Sequence, residues 1–577
     1  MPDNIPMSDD AAMQELDASQ AVPLASLAEL DLNPAETGDA ISDDVRKTIK
    51  ETEAELEAVL AKYKDHRKTS LEPLWNEIYD AYRGVAPENW DPYQSYYNIK
   101  EIFRQVETLK PYITDALFGG KRLFECKSRR QGDEAGAIGA SNIMHEHFKR
   151  FGSKLQLIKA IDLAILYGTS FIVYGWQTLK RMRNLAEKVK KSEDRNAWKH
   201  AVEEVIEEGP VVRALSPWRV YADHEVEDVR ESPYVFVSEV VSGEYLKTLV
   251  RENVLDEKKV KEIILKGGSG HDNEKRELRP DSAPRPISNV SPDSQYELVW
   301  AYCNNGMEYA KVDGVLCRGK RSIFTSAPII TLRNYPQDGE LYGLGEPSIV
   351  LGEQVFLNDV ASLWMDSIHF TEQPMWMVRS DQKKNWDIKN FKPGHTVFMD
   401  SMDAAMPFPV KPTSFILQGA MPLVRQMMQM TTGINDEQGG TSKQRSATGV
   451  KMLIDAAGMR NQRKILLFSE SLSELYRSIY NLESRFLDEE IAMTLDGPDG
   501  ARMYARYGPE TFNSDVDIEV VMPKDMNSPD MEQNKVLMLY KMMRRDPLLE
   551  PTQLVEAVLK AFPDYFPEPK RALASNI

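Results

Sequence analysis

Three clusters in this chain carry residue types that could do chemistry, and each lacks the spacing that chemistry needs. Gly119-Gly120-Lys121 has the makings of a phosphate cradle, but Arg122 follows the lysine and the opening glycine of a phosphate-binding loop is missing. His145-Glu146-His147 sets two imidazoles two residues apart, whereas two metal ligands on one helix face need a four-residue step. Asp515, Asp517 and Glu519 alternate, so a strand would show all three carboxylates on one face. A solvated acidic face accounts for them better than a cation site. No Gly-x-Ser-x-Gly elbow occurs, and the eight histidines form no constellation. Cys126, Cys303 and Cys317 are too few for a disulfide framework or a zinc site. Cys303 and Cys317 flank an expected hairpin and read as small buried side chains. The chain reads as no enzyme, with no metal and no cofactor.

Size and charge narrow the class. At 577 residues the chain exceeds what one core can organise, and two to four structural units are expected. No stretch approaches the roughly 18 consecutive apolar residues that cross a bilayer, and no secretory signal opens the chain. A reducing cytoplasm fits. A net charge of −18 excludes a protein that grips nucleic acid tightly, which needs clustered Lys and Arg. It admits a protein that DNA slides past, because a like-charged wall prevents sticking.

The elements that must carry any function follow from periodicity. Residues 1–45 hold eleven acidic residues and no Lys or Arg, which predicts a disordered tail. Ile49, Leu56, Val59, Leu60 and Tyr63 predict one or two helices up to about Arg83. Ile99, Ile102, Val106, Leu109 and Ile113 predict another over Asn98–Leu117, ended by Gly119-Gly120. A short strand at Leu123–Lys127 and a long helical region over Ala135–Tyr167 follow, then a strand at Phe171–Tyr174. Residues 181–208 mix both charges, with Leu185, Val189, Trp198, Val202 and Val205 at helical spacing, and read as a surface helix pair.

Strands are expected at Val211–Leu215, Arg219–Ala222 and Tyr234–Val240, and helix over Gly243–Leu265. Gly267–Gln295 is the clearest internal loop. Three strands at 296–303, 307–317 and 323–333 come next. A helix opening near Pro347 runs to about Phe370, with Val355, Leu363, Trp364 and Ile368 as packing residues. A strand-like insert covers 375–410, and a second helix opens at Pro422 and ends at Gly433. Met421, Met427, Met428 and Met430 crowd that helix, a choice suited either to shifting neighbours or to a gap-filled core. Beyond Gly439-Gly440-Thr441-Ser442-Lys443-Gln444-Arg445, one long rod runs from about Ala447 to Glu490. Ile465, Phe468, Leu472, Leu475, Ile479, Leu482 and Phe486 step by three and four and form one seam along it. Asp515–Val521 reads as a strand, and helices are expected at 529–543 and 551–562.

This order resembles the portal proteins of tailed bacteriophages, above all those of short-tailed phages, over residues 90 to 490. Tyr97-Asn98-Ile99-Lys100 leading to Leu117-Phe118-Gly119 resembles the opening helix of a portal wing. Asp162–Phe171 is similar to the wing helix entering its first strand, and Ser216-Pro217-Trp218-Arg219-Val220-Tyr221-Ala222-Asp223 to the strand pair after it. Tyr342-Gly343-Leu344-Gly345-Glu346-Pro347 looks like the lead-in to the first stem helix. Thr432-Gly433-Ile434 and Ser446-Ala447-Thr448-Gly449-Val450 look like the borders of a tunnel loop.

The resemblance implies an α+β, mainly helical chain with wing, stem, clip and crown regions. After the acidic tail, 46–345 would be the wing, with loop 267–295 inside it. Residues 346–371 and 412–432 would be the stem helices and 372–411 the clip. The tunnel loop would be 433–448, the long helix and its return strand 449–524, and the crown 525–577. It further implies a homo-oligomeric ring of about twelve subunits at one capsid vertex of the virion, assembled in the host cytoplasm. Double-stranded DNA would pass its channel during packaging and ejection. Terminase, major capsid, scaffolding and tail adaptor proteins would be its partners, with no membrane. In the tunnel loop, Thr441, Ser442, Lys443, Gln444 and Arg445 are the candidate DNA contacts, the two cations touching phosphates in passing. In the clip, Lys383, Lys384, Lys389 and Lys392 form a basic cluster for an acidic partner or DNA. The alternative is a non-viral oligomeric helical scaffold without catalysis.

Overall fold

The computed structural model describes residues 43–87, 94–120, 122–130, 132–184, 202–266, 295–372, 376–378, 405–407, 414–434, 447–487, 491–496, 502–513 and 515–521. The acidic tail, the loop at 267–294 and the helices expected beyond residue 521 lie outside them.

Along the chain, α1 (Asp43–Ser70), α2 (Glu72–Arg83) and α3 (Glu101–Phe118) precede β1 (Phe124–Ser128). Next come α4 (Glu134–Arg150) and α5 (Ser153–Tyr167), separated at Gly152, whose φ of 65° belongs to the left-handed region that glycine supplies. A long hairpin, β2 (Thr169–Asn184) with β3 (Val202–Leu215), follows. Then β4 (Val220–Tyr221), β5 (Tyr234–Ser242), α6 (Gly243–Arg251) and α7 (Glu257–Lys266) lead to β6 (Gln295–Cys303), β7 (Met307–Val312), β8 (Val315–Arg321) and β9 (Ile329–Arg333). The central part holds α8 (Glu346–Ile349), α9 (Leu351–Glu372), β10 (Trp376–Val378), β11 (Ala405–Pro407), α10 (Ser414–Thr432) and α11 (Ala447–Phe486). β12 (Ile491–Asp496), β13 (Arg502–Tyr507) and β14 (Val516–Val520) close the described chain. The mixture of helix and strand fits the expected α+β class.

The chain forms two compact units interleaved in sequence. One comprises the chain up to Pro73, Pro217–Ile329 and Asp338–Leu341. Its centre is the antiparallel sheet β4-β5-β6-β7-β8. Leu56, Leu60 and Tyr63 of α1 cluster with Phe236, Val299 and Tyr309, while Leu246 and Leu249 of α6 and Val260 and Ile263 of α7 cluster with Leu298, Ala310 and Val312. Helices therefore cover both sets of sheet residues. Arg67 pins the end of α1: its guanidinium donates to the carbonyls of Trp218 (2.9 Å) and Val220 (3.2 Å), pairs with Glu72 and lies 3.7 Å from the Tyr221 ring.

The other unit comprises Leu74–Ser216, Ile330–Gln337 and the chain from Tyr342 on. Its core is organised by α11, which packs against α3, α4 and β14. Ile465, Phe468, Leu472, Leu475, Ile479 and Leu482 are buried as the seam predicts, each contributing roughly 1.5–3 kcal/mol. Phe486 is half-buried and stacks on Trp176 (5.5 Å).

Several expectations are corrected. Residues 181–184 and 202–208 are strand, not a helix pair: β2 and β3 stay in antiparallel register from Phe171↔Leu215 to Asn184↔Val202. The basic positions Lys180, Arg181 and Arg183 lie on one arm and the acidic Glu203, Glu204, Glu207 and Glu208 on the other, and the register sets position 183 opposite 203. Leu185, Val189 and Trp198 lie outside the described residues. The single strand expected at 307–317 is a hairpin, because Asp313 and Gly314 both take positive φ (45° and 84°), the turn that a tight hairpin requires. The helix expected over Gly243–Leu265 breaks into two around Asn253 (φ 59°). Pro422 lies inside α10 rather than opening it. Strands β12 and β13 form a hairpin that periodicity did not reveal.

Candidate functional site

Gly343 and Gly345 bring the chain to the root of α8 by backbone contact alone. A Cβ on Gly345 would fall 2.3 Å from the carbonyl oxygen of Leu166, and one on Gly168 would fall 2.1 Å from that of Gly343. Only glycine permits so close an approach. The Gly343 N–H donates to Thr169 Oγ1 (2.8 Å), and the Asn334 N–H donates to the Gly168 carbonyl (2.9 Å). This junction buries Glu346, which is 1% exposed. Its carboxylate accepts from Lys464 Nζ of α11 (2.6 Å), from Asn334 Nδ2 (3.3 Å) and from the Tyr335 hydroxyl (3.5 Å). Lys464 also sits 4.6 Å from the Tyr335 ring centre. One buried ion pair thus ties the long helix to the start of the α9–α10 hairpin.

Along α9 the buried face carries a polar row beside the apolar Leu357, Val360 and Ala361. Gln354, Asn358 and Ser362 are buried, and Asp366 continues their four-residue step. Together they accept from backbone N–H groups of the segment before α3 and of its first turn: Ser95 to Asp366 Oδ1 (3.0 Å), Tyr97 to Ser362 Oγ (3.0 Å), Ile99 to Asn358 Oδ1 (3.1 Å) and, within α3, Ile102 to Gln354 Oε1 (3.0 Å). The opposite face of α9 is apolar and exposed. Val355 is 48% and Leu363 57% exposed, so they do not pack within the chain as expected, and Phe356 is exposed with them. α10 behaves alike. Val424 and Met428 enter the core, while Leu423, Met427 and Met430 form an exposed stripe at steps of four and three. β10 and β11 pair at the far end of this hairpin, Trp376↔Pro407 to Val378↔Ala405. At its near end, α10 stops at Gly433 (φ 73°) and the chain anchors Ile434 in the core.

The candidate residues Thr441, Ser442, Lys443, Gln444 and Arg445 lie outside the described residues, between Ile434 and α11. Lys383, Lys384, Lys389 and Lys392 likewise lie outside them, between β10 and β11. What is seen is how each group is held at its two ends. The rejected clusters have structural roles. His145 takes the Leu123 N–H on Nε2 (3.0 Å) and sits 2.7 Å by Nδ1 from the Ser141 carbonyl, and burial pushes its pKa down. His147 pairs with Glu483 of α11 (2.5 Å), and burial pushes that carboxyl up. Lys127 pairs with Glu519, and Arg129 (3.4 Å) and Arg477 (3.3 Å) with Asp517, which makes the acidic strand face a neutralised surface. Sequence reasoning missed Lys464 and the Gln354–Asp366 series; the signal was a strict four-residue polar repeat along α9.

No curated protein matches the chain. The model of one family, the phage SU10 portal protein, matches residues 180–562. That span takes in the end of β2, all of β3, the five-stranded sheet, the α9–α10 hairpin and the long helix; it reaches beyond residue 490 and leaves the segment before residue 180 outside. A match over most of the chain's length makes this a member of the phage SU10 portal protein family, a tailed-phage portal protein.

Proposed function

We propose that copies of this chain close into a ring at one capsid vertex and that double-stranded DNA is packaged and ejected through its axial channel. In this reading α8–α9 and α10 are the stem helices, 372–411 the clip, 433–448 the tunnel loop and 525–577 the crown, with the wing over 46–345. Terminase docks first and the tail later. The supporting observation is that the α9–α10 hairpin leaves Val355, Phe356 and Leu363 on one helix and Leu423, Met427 and Met430 on the other uncovered in the single chain. Apolar stripes on two successive helices suit head-to-tail contact between neighbours, which closes into a ring when the rotation permits. The net charge of −18 suits a channel that DNA crosses without sticking. Lys443 and Arg445, on the loop between the hairpin and the long helix, are placed in sequence to touch phosphates transiently. Family membership displaces the reading as a non-viral scaffold.

Negative-stain electron microscopy with light scattering tests the ring. Closed rings with an axial hole support it. A stable small oligomer without a hole, unchanged at high concentration, overturns it. The loop assignment has its own test: Lys443→Ala with Arg445→Ala should leave rings intact and impair packaging or DNA retention, and normal packaging removes both residues from the mechanism.

A further inference from the structure

The β2–β3 hairpin is longer than the sheet it belongs to. β9 has five residues, and the Asn334 N–H donates to the Gly168 carbonyl, so β9 lies along only the base of the sixteen-residue β2. The packed core reaches little further: Trp176 of β2 stacks on Phe486, and the Phe151 ring lies against Gly209 of β3. The ladder nevertheless runs on from Leu179↔Glu207 to Asn184↔Val202, about 17 Å of ribbon. Among the described residues no third strand flanks either arm over that length. A two-stranded ribbon is marginal in water by itself, and the outer N–H and C=O groups of its arms form two open edges. Pro210, which has no N–H to give a ladder, marks the inner limit of the β3 edge.

The two edges differ in sign. Leu179–Asn184 holds Lys180, Arg181 and Arg183 and no acidic residue, while Val202–Glu207 holds Glu203, Glu204 and Glu207 and no basic one. Alternation puts both signs on both faces of the ribbon: positions 181 and 183 share a face with 203 and 207, and position 180 shares the other with 204. Charge on an edge can serve only to keep strange strands away, but one sign on both arms does that equally well. Opposite signs do something more. A β2 edge repels a second β2 edge and a β3 edge repels a second β3 edge, whereas β2 beside β3 attracts. A two-fold pair of hairpins joins like edges; a head-to-tail pair joins unlike ones, and it joins them antiparallel. The sign pattern therefore rejects the first and accepts the second. We propose that the β2 edge at 179–184 of one copy adds to the β3 edge at 202–207 of the next, so that one sheet runs from copy to copy. The proposal rests on the ring reading and gives that ring a second contact, separate from the apolar stripes of α9 and α10.

A sign-swapped full-length chain tests this. Lys180→Glu, Arg181→Glu and Arg183→Glu, made together with Glu203→Arg, Glu204→Lys and Glu207→Arg, keep opposite signs within the hairpin and between like copies. The swapped chain should form rings by itself, as the parent does. In a mixture of the two, every mixed neighbour pair sets like signs edge to edge. Native mass spectrometry should then find mixed rings about tenfold or more below the random proportion. Mixed rings at the random proportion overturn the proposal and leave the charges as guards of two open edges. Cysteines give a reading that needs no swap. A chain with Met182→Cys is mixed in turn with chains carrying Val202→Cys, Glu204→Cys or Ile206→Cys, positions that share the face of Met182. The native thiols stay out of the reaction, since all three are buried and pushed up to about 12. Under mild oxidation at least one mixture should bridge about tenfold faster than the Met182→Cys chain alone, because two copies of β2 never meet. If none does, the edges are not joined. Rings that form yet mix and bridge without preference sink the edge contact alone, whereas a chain that stays single at every concentration sinks the ring and the edge contact with it.

Discussion

The five-stranded sheet and the α9–α10 hairpin solve the burial problem in opposite ways. The sheet has α1 on one cluster of its side chains and α6 and α7 on the other, so Phe236, Val299, Leu298 and Val312 all lose their water within one chain. The hairpin buries a polar row of α9 beside Leu357, Val424 and Met428 and turns Val355, Phe356, Leu363, Leu423, Met427 and Met430 outward. The sheet leaves no broad apolar face for a neighbour, whereas the hairpin offers one that a neighbouring copy would cover in the proposed ring. α9 is accordingly held by a row of directional hydrogen bonds alongside the buried Leu357, Val360 and Ala361, with the Glu346–Lys464 ion pair at its root on α8.

The largest effects should come from groups fully buried within the single chain, one in the sheet and one at the root of the hairpin. Phe236→Ala empties a fully buried site between Tyr63 and the strands, and should cost about 3–5 kcal/mol in denaturant unfolding. Lys464→Met should cost a similar amount, about 3–5 kcal/mol, because it strands the Glu346 carboxylate without its cation. Replacing both members, Lys464→Met with Glu346→Leu, should recover much of that loss. If the double variant is as unstable as the single one, the pair holds the junction by shape and hydrogen bonds with Asn334 and Tyr335, not by charge.

The comparison also marks what could be read from sequence. The α11 seam was legible because its apolar residues face its own core, and strand β14 and helix α3 were legible for the same reason. The α9 reading failed on this point: Val355 and Leu363 are apolar and at helical spacing, yet they face outward, and the inward residues are Leu357, Val360 and Ala361 together with Gln354, Asn358 and Ser362. Periodicity finds a face and not its direction, and a face that awaits another chain looks like a core. Residues 181–208 failed differently. Mixed charge at helical spacing suggested a solvated helix, whereas the signs are segregated between two arms that pair across a ladder. The tunnel-loop and clip cations, outside the described residues, remain readings of sequence and family.

A smaller effect separates α11 from the sheet by pH. Glu483 lies fully buried against His147, and its pKa is raised by burial. A carboxyl raised in the folded state stabilises below its unfolded value near 4.5, and that contribution is lost as pH rises through the higher folded value. Glu483→Gln keeps the shape and removes the titration. Relative to the parent, the variant should therefore gain in melting temperature from pH 5 to pH 8. A constant difference across that range would mean that the carboxyl keeps its ordinary value in the folded chain.

The smallest effect on folding should carry the largest effect on assembly. Leu423→Gln with Met427→Gln places two polar groups on the exposed stripe of α10, touching neither Val424 nor Met428 inside. Surface changes of this kind usually stay within about 0.5 kcal/mol, so the melting temperature of the unassembled chain should hardly move. Ring formation, followed by light scattering, should nevertheless fail or shift to much higher concentration, since in the proposed ring each neighbour contact would lose both anchors. The matched control, Leu298→Gln in the sheet, should do the reverse and unfold the chain before assembly can be asked about. If the stripe variant forms rings as readily as the parent, Leu423 and Met427 face the open channel or solvent, and the contact between copies must be sought on the α9 face that carries Phe356 and Leu363.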